Sequence, residues 1–283
     1  MSARELRGAP VAAALCEGLR IRVAALEARG VTPKLVIVRV GDDAGALAYE
    51  RGAMTRMAKV GVACDVRAFA ANVGRDEFES ALRAIADDPS VHGILMMRPL
   101  PAQLDTAAAI ACVPAAKDVD GMTPASLACV FSGSGKGFAP CTAEAVVRLL
   151  EHYEVPLEGA RVCVLGRSLV VGRPLSQLLL ARNATVTTCH SRTRDLAEET
   201  LRAQVLVSCM GRARAVGADM VAPGAIVIDV GTNDDGKGGI VGDVDASVCE
   251  VASALTPVPR GVGSVTTSVL AAHVVASAED MLA

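Results

Sequence analysis

The sequence predicts an α/β protein built from parallel sheets covered by helices, and three observations carry that expectation. Helical and strand patterns alternate through both halves of the chain, as they do in successive βαβ units. Hydrophobic residues make up 52% of the total and aromatics only 2%, so the cores must come from Ala, Val, Leu, Ile and Met. Short continuous runs of those residues suit strands buried on both faces. At 283 residues the chain is also long for one domain, and two are expected.

Residues 11–30 (VAAALCEGLRIRVAALEARG) read as an amphipathic helix closed by Gly30. Strand KLVIVRV follows at 34–40, then a helix over 46–62 that stops at Gly61 and places Tyr49 on its first turn. A strand near 64–69, a helix over 76–88 with an acidic first turn, and strand HGILMMR at 92–98 complete the first half. Pro99-Leu-Pro101 ends that strand, because proline has no N–H to donate. A softer region, TPASLACVFSGSGKGFAP, separates the halves. The second half runs as helix 142–153, strand 161–166, helix 171–183 and strands 184–189, 204–209 and 224–231. It closes with a helix over VTTSVLAAHVVASAEDML.

Composition excludes several classes. A net charge of −3 argues against a nucleic-acid groove or a basic membrane face. The nine cysteines are odd in number, scattered and without a CxxC pair, and the four histidines show no ligand spacing, so neither a disulfide framework nor a metal site is expected. No run is long and apolar enough for a membrane span, and MSARELRGAP lacks a signal-peptide core. A cytoplasmic protein is expected.

VLGRSLVVGRP carries an apolar strand through Gly166 into a helix, where free N–H groups can meet a phosphate. A tight strand–helix turn would use the same glycines, and the pattern is not G-x-G-x-x-G. Arg167 and Ser168 follow at once, and CHSRT ends the next strand, where the adenosine ribose of a dinucleotide normally lies. With Ser191 there in place of an acid, and Arg167 nearby, the site suits the ribose phosphate of NADP. Arg192 and Arg194 are further cations close by. GSGKG at 133–137 lacks a leading strand, a following Ser or Thr and the four-residue gap of a phosphate loop, and reads as a surface turn.

RPLP (98–101), KDVDG (117–121), PCT (140–142), GRSLVVGRP, HSRT, IDVG with VGDVD, and PVPRGVG occur in one order along nearly the whole chain. In that order they resemble the methylenetetrahydrofolate dehydrogenase/cyclohydrolase family. The resemblance implies two domains: an N-terminal α/β catalytic domain, 1–121 plus 265–283, and a Rossmann-like NADP-binding domain, 122–264. It implies tetrahydrofolate derivatives as substrates, NADP as cofactor and a homodimer, with no nucleic acid, membrane or metal as partner. Tyr49 matches the tyrosine that stacks on the folate's aminobenzoate ring, and Asp120 the carboxylate that binds the pterin. Met96, Met97, Arg98, Pro259, Arg260, Gly261, Val262 and Gly263 fall at substrate positions. Gly166, Arg167, Ser168, Ser191 and Thr232 fall at cofactor positions, Thr232 standing where isoleucine is usual.

Three departures stand out. The helix usually reads S-x-x-Y-V-x-x-K, and here the catalytic lysine position holds Ala53. The usual V-Q-L-P-L-P reads Met96-Met97-Arg98-Pro-Leu-Pro, so the glutamine is Met97. Arg260 replaces a glycine. Hydride transfer mainly needs positioning, whereas hydrolysis of the methenyl product needs general acid–base groups. An NADP-dependent dehydrogenase whose cyclohydrolase activity is weak or lost is therefore expected. A non-catalytic folate- or nucleotide-binding relative and a dehydrogenase of another small substrate are the alternatives.

Overall fold

The computed structural model describes residues 3–282. In chain order its strands are β1 (Arg4–Glu5), β2 (Lys34–Val40), β3 (Ala63–Phe69), β4 (Gly93–Met96), β5 (Arg161–Leu165), β6 (Thr185–Cys189), β7 (Val205–Ser208), β8 (Ile226–Asp229), β9 (Asn233–Asp234), β10 (Ile240–Val241) and β11 (Ala254–Leu255). The α-helices are α1 (Gly8–Glu27), α2 (Ala44–Val60), α3 (Arg75–Asp87), α4 (Thr106–Ala111), α5 (Pro124–Ser132), α6 (Cys141–His152), α7 (Gly172–Leu180), α8 (Leu196–Thr200) and α9 (Thr266–Asp280). The chain divides into two compact units, one of residues 1–13 with 142–266 and the other of residues 14–141 with 267–283.

The second of these units is built on a three-stranded parallel sheet in the order β3-β2-β4. Leu35, Ile37 and Val38 on β2 are fully buried, as expected of a central strand between helices. Val36, Val38, Phe78, Leu82 and Ile94 form the middle of one core cluster. Helix α3 joins it because Phe78, Leu82 and Ile85 recur at three- and four-residue steps. Gly61 ends α2 in the left-handed conformation, at φ 84°, where a side chain would be strained.

In the other unit six strands lie in the order β1-β11-β8-β7-β5-β6, every pairing parallel. Its core gathers Cys163, Leu165, Leu206, Val227 and Val248. Cys163 and Cys189 face each other across β5 and β6 with sulfurs 3.8 Å apart. Burial pushes both thiols up. All nine cysteines are free.

The expected α/β class and parallel sheets are present. Several details differ. Helix α2 begins at Ala44, capped by the Asp43 carboxylate accepting from the Ala46 N–H at 2.8 Å, so Tyr49 stands on its second turn and not its first. The softer region contains helix α5, whose Thr123 cap, Pro124 start and Gly133 stop were all present in the sequence. The strand expected over 92–98 is shorter, ending at Met96.

Candidate active site and cofactor loop

In the sheet β3-β2-β4, the connection from β2 goes to one side and β4 returns on the other. The crevice at such a switch point, beyond the carboxyl ends of the strands, is where open α/β sheets take ligands. The chain leaves β2 through Gly41-Asp42-Asp43 into α2, and leaves β4 through Met97-Arg98. Between them opens a cleft of about 390 Å³ lined by Asp43, Gly45, Ala46, Tyr49, Leu95, Met96, Met97, Arg98 and Asp120. That size accepts a small organic ligand. Tyr49, Met96, Met97, Arg98 and Asp120 are thus brought together. Ala53 is fully buried and does not line the cleft.

KDVDG divides its labour. Lys117 is buried and donates from Nζ to the carbonyl oxygens of Ala86 and Asp88, each at 2.7 Å, which ties it to the C-terminal end of α3. Asp118 accepts from the N–H groups of Met122 at 3.0 Å and Thr123 at 2.7 Å, which closes the turn. Gly121 has φ 68°, and an added Cβ would lie 2.4 Å from the Ala139 carbonyl carbon. Only Asp120 faces the cleft.

Arg98 Nη2 lies 3.4 Å from Asp120 Oδ2, with the two side chains 26% and 22% exposed. Burial pushes the Asp120 carboxyl up to about 6; Arg98 opposes the shift and Asp118 adds to it. Behind Asp120, the Cys141 thiol donates to the Val119 carbonyl oxygen at 3.2 Å, and His273 Nδ1 lies 2.8 Å from the same oxygen. Phe138 stacks on the His273 ring at 4.7 Å.

One pair escaped the sequence reading. Arg39 on β2 and Glu50 on α2 form an ion pair at 2.9 Å, each side chain 11% exposed. Arg39 also donates to the Gly41 carbonyl oxygen and to Asp42. A charge inside an otherwise apolar strand, two residues before a glycine, was the available signal. The pair ties α2 and the loop at its start to β2.

In the other unit, β5 and β7 are neighbours whose connections leave in opposite directions, which makes a second switch point. Gly166 sits there at φ 133°, and an added Cβ would lie 2.6 Å from the Cys209 carbonyl oxygen. At Gly172, which opens α7, an added Cβ would lie 2.1 Å from the Gly166 oxygen. Both glycines are required for the loop to fold this closely against the helix start. Ser168 Oγ accepts from the Val171 N–H at 3.1 Å, whereas the N–H groups of Arg167 and Ser168 donate to no protein acceptor among the described residues. Such a cradle fits a phosphate-bearing cofactor. The HSRT segment is a turn in which His190 N–H donates to Thr193 Oγ1 at 2.9 Å, which leaves Ser191 exposed at the tip.

IDVG and VGDVD meet through two buried carboxylates that the sequence reading noted only as motif. Asp243 accepts from Ser208 Oγ at 3.0 Å, from the N–H groups of Met210 at 2.7 Å, Gly211 at 3.2 Å and Arg212 at 2.8 Å, and from Asn233 Nδ2 at 3.0 Å. Asp229 accepts from the N–H groups of Gly231 at 2.9 Å, Asp243 at 3.0 Å and Val244 at 3.0 Å. These bonds fix the loops beyond β7 and β8, including exposed Thr232. Pro259, Arg260, Gly261, Val262 and Gly263 belong to this same unit. Arg260 is exposed and takes φ 84°, in the region that favours glycine. Its carbonyl oxygen accepts from the Gly8 N–H at 2.9 Å.

Among the described residues no group of His, Cys, Asp and Glu could hold a metal, and no helix is long and apolar enough to cross a membrane. Comparison with known proteins gives a consistent result. Residues 6–120 match the model of the tetrahydrofolate dehydrogenase/cyclohydrolase catalytic domain, and residues 140–282 that of the family's NAD(P)-binding domain. The bifunctional protein FolD of Alkaliphilus oremlandii is 49% identical over 270 residues, 95% of each chain. FolD of Carboxydothermus hydrogenoformans is 46% identical over 280 residues, 98% of each chain. Among solved structures, the bifunctional FolD of Campylobacter jejuni aligns over 99% of both chains with a TM-score of 0.95 and 34% identity. The Trypanosoma brucei enzyme, complexed with NADP and an inhibitor, aligns over 100% of this chain and 99% of its own with a TM-score of 0.93 and 33% identity. The chain therefore belongs to the tetrahydrofolate dehydrogenase/cyclohydrolase family.

Proposed function

We propose that the protein is an NADP-dependent methylenetetrahydrofolate dehydrogenase whose cyclohydrolase activity is weak or lost. The observation that carries this is the lining of the cleft. It offers a tyrosine ring and a carboxylate for a folate, yet it presents Met97 and no lysine where acid–base groups would be needed. Tyr49 stacks on the aminobenzoate ring. Asp120 accepts N–H donors of the pterin, which takes its ionised form.

When bound, NADP supplies the acceptor for the hydride leaving the folate's methylene carbon. Gly166, Arg167 and Ser168 hold its phosphates, Ser191 and Arg167 its ribose phosphate, and Thr232 lies beside it. The donors left free on the Arg167 and Ser168 backbone support that placement. The folate unit is assigned to 1–121 plus 265–283 and the cofactor unit to 122–264, in a homodimer. A small-acid substrate is disfavoured, because a second carboxylate brought to Arg98 would face Asp120.

The test is a paired assay on the purified protein. Reduction of NADP with methylenetetrahydrofolate is expected, with the methenyl compound accumulating. Hydrolysis as fast as oxidation would sink the cyclohydrolase part, and the absence of any folate-dependent reduction of NADP would sink the whole.

A further inference from the structure

Arg98 is unusual in its surroundings. Its side chain is mostly buried, yet its one protein partner among the described residues is Asp120. The remaining N–H donors of the guanidinium, which has five in all, are unspent. They lie in the wall of the cleft, beside a carboxylate that can only accept. The same two residues also border a second, smaller cavity of about 20 Å³, lined by Ile94, Met96 and Met122 among others. Donors that the protein leaves free in the wall of a cleft favour a ligand that brings an acceptor, and a bond to a charged donor is of the stronger kind. Acceptor and donor side by side match a flat ring edge that carries N–H next to C=O.

We propose that Arg98 is a specificity-determining residue: it donates to the ring carbonyl of the bound pterin while Asp120 accepts the neighbouring N–H groups. This rests on the reading of the cleft as a folate site. The pairing also fixes the Asp120 carboxylate, since Arg98 holds Oδ2 from one side. The other groups around Asp120 are Asp118, Cys141 and His273, and none of them lines the 390 Å³ cleft. Arg98 is therefore the one charged donor in that wall able to reach the carbonyl. A pteridine with an amino group in place of that carbonyl would set N–H donors against the guanidinium and be rejected.

The experiment compares binding of folic acid with binding of its diaminopteridine analogue, which carries the same tail, by calorimetry on the full chain. The unmodified protein is expected to prefer folic acid. R98M should weaken folic acid about ten- to a hundredfold, the loss of one charge-assisted bond, and change the analogue less than about threefold. R98K, which keeps a cationic donor, should restore part of the preference, and melting temperatures identify any variant that fails to fold. A variant that merely disturbs the cleft would weaken both ligands alike. Equal loss of both, or loss of neither, overturns the role of Arg98 and leaves the folate site standing. Binding of neither ligand by the unmodified protein overturns the folate reading itself.

Discussion

At the scale of single residues, Asp120 sets the pH behaviour. Its carboxyl is pushed up to about 6, chiefly by burial. The folded state therefore holds this proton more tightly than the unfolded chain does. The group's contribution favours the fold below the ordinary carboxylate range and is lost as pH rises through about 6. Ligand binding runs the other way. Pterin N–H donors prefer the ionised carboxylate, so folate affinity should fall as pH drops below about 6, and binding should release a proton there. Calorimetry in buffers of different ionisation enthalpy would detect it; a flat profile from pH 5 to 8 would remove Asp120 from the site. Tyr49→Ala should weaken folate binding and leave NADP binding unchanged, with Tyr49→Phe milder if stacking dominates. Normal folate affinity in Tyr49→Ala would make Tyr49 a core residue. Arg260 holds a left-handed backbone conformation at φ 84°. Arg260→Gly should relieve strain and raise stability by roughly 0.5–1 kcal/mol, after the greater freedom of glycine in the unfolded chain is subtracted. A lower melting temperature would show that the arginine side chain contributes more than its backbone costs.

At the scale of elements, helix α2 explains what a missing lysine means. Ala53 lies one turn beyond Tyr49, but it is fully buried under the helix. A lysine there must thread its stem through packed surface to bring an ammonium to the cleft. Ala53→Lys alone should therefore destabilise, because beside Met97 the charge has no partner. Ala53→Lys with Met97→Gln should raise methenyltetrahydrofolate hydrolysis by about 10²-fold or more. No gain in the double variant would place the acid–base deficit elsewhere. The loops beyond β7 and β8 depend on Asp243 in a comparable way. With five donors converging on it, Asp243→Asn should cost about 2–3 kcal/mol in urea unfolding and weaken NADP. Most elements were legible because apolar runs and stop residues coincide, as at Gly61 after α2; α5 went unread although Thr123 and Gly133 mark its two ends. Strands β1 and β11 were not, being two residues each and carrying too short a pattern to see. The Arg39–Glu50 pair was hidden for another reason. Its partners are eleven residues apart on different elements, and only the β2–α2 packing brings them together.

At the scale of the whole molecule, the alternation of apolar runs was enough to predict both parallel sheets. It could not give strand order, which decides where the two switch points fall. Cofactor choice is the prediction that belongs here. NADP should be preferred to NAD, and Arg167→Ala should raise the Michaelis constant for NADP well above that for NAD, by the loss of one charge-assisted contact of about 1.5–3 kcal/mol. Equal use of both cofactors by the unmodified protein would count against Ser191 and Arg167 as the ribose-phosphate site.

The facing sulfurs of Cys163 and Cys189 have a consequence for how the molecule opens. Both are 1% exposed, and burial raises their thiols, so in the closed fold they offer a reagent neither access nor thiolate. Partly exposed thiols such as Cys129 and Cys249 have no such shelter. Labelling by an aromatic disulfide reagent should thus separate into an early burst and a slow phase. Under conditions where reclosing is faster than labelling, the slow phase counts how often the β5–β6 edge exposes itself, and saturation with NADP should retard it in proportion to cofactor affinity. On this account the sheet beneath the cofactor loop is alkylated only in those molecules that have already come apart.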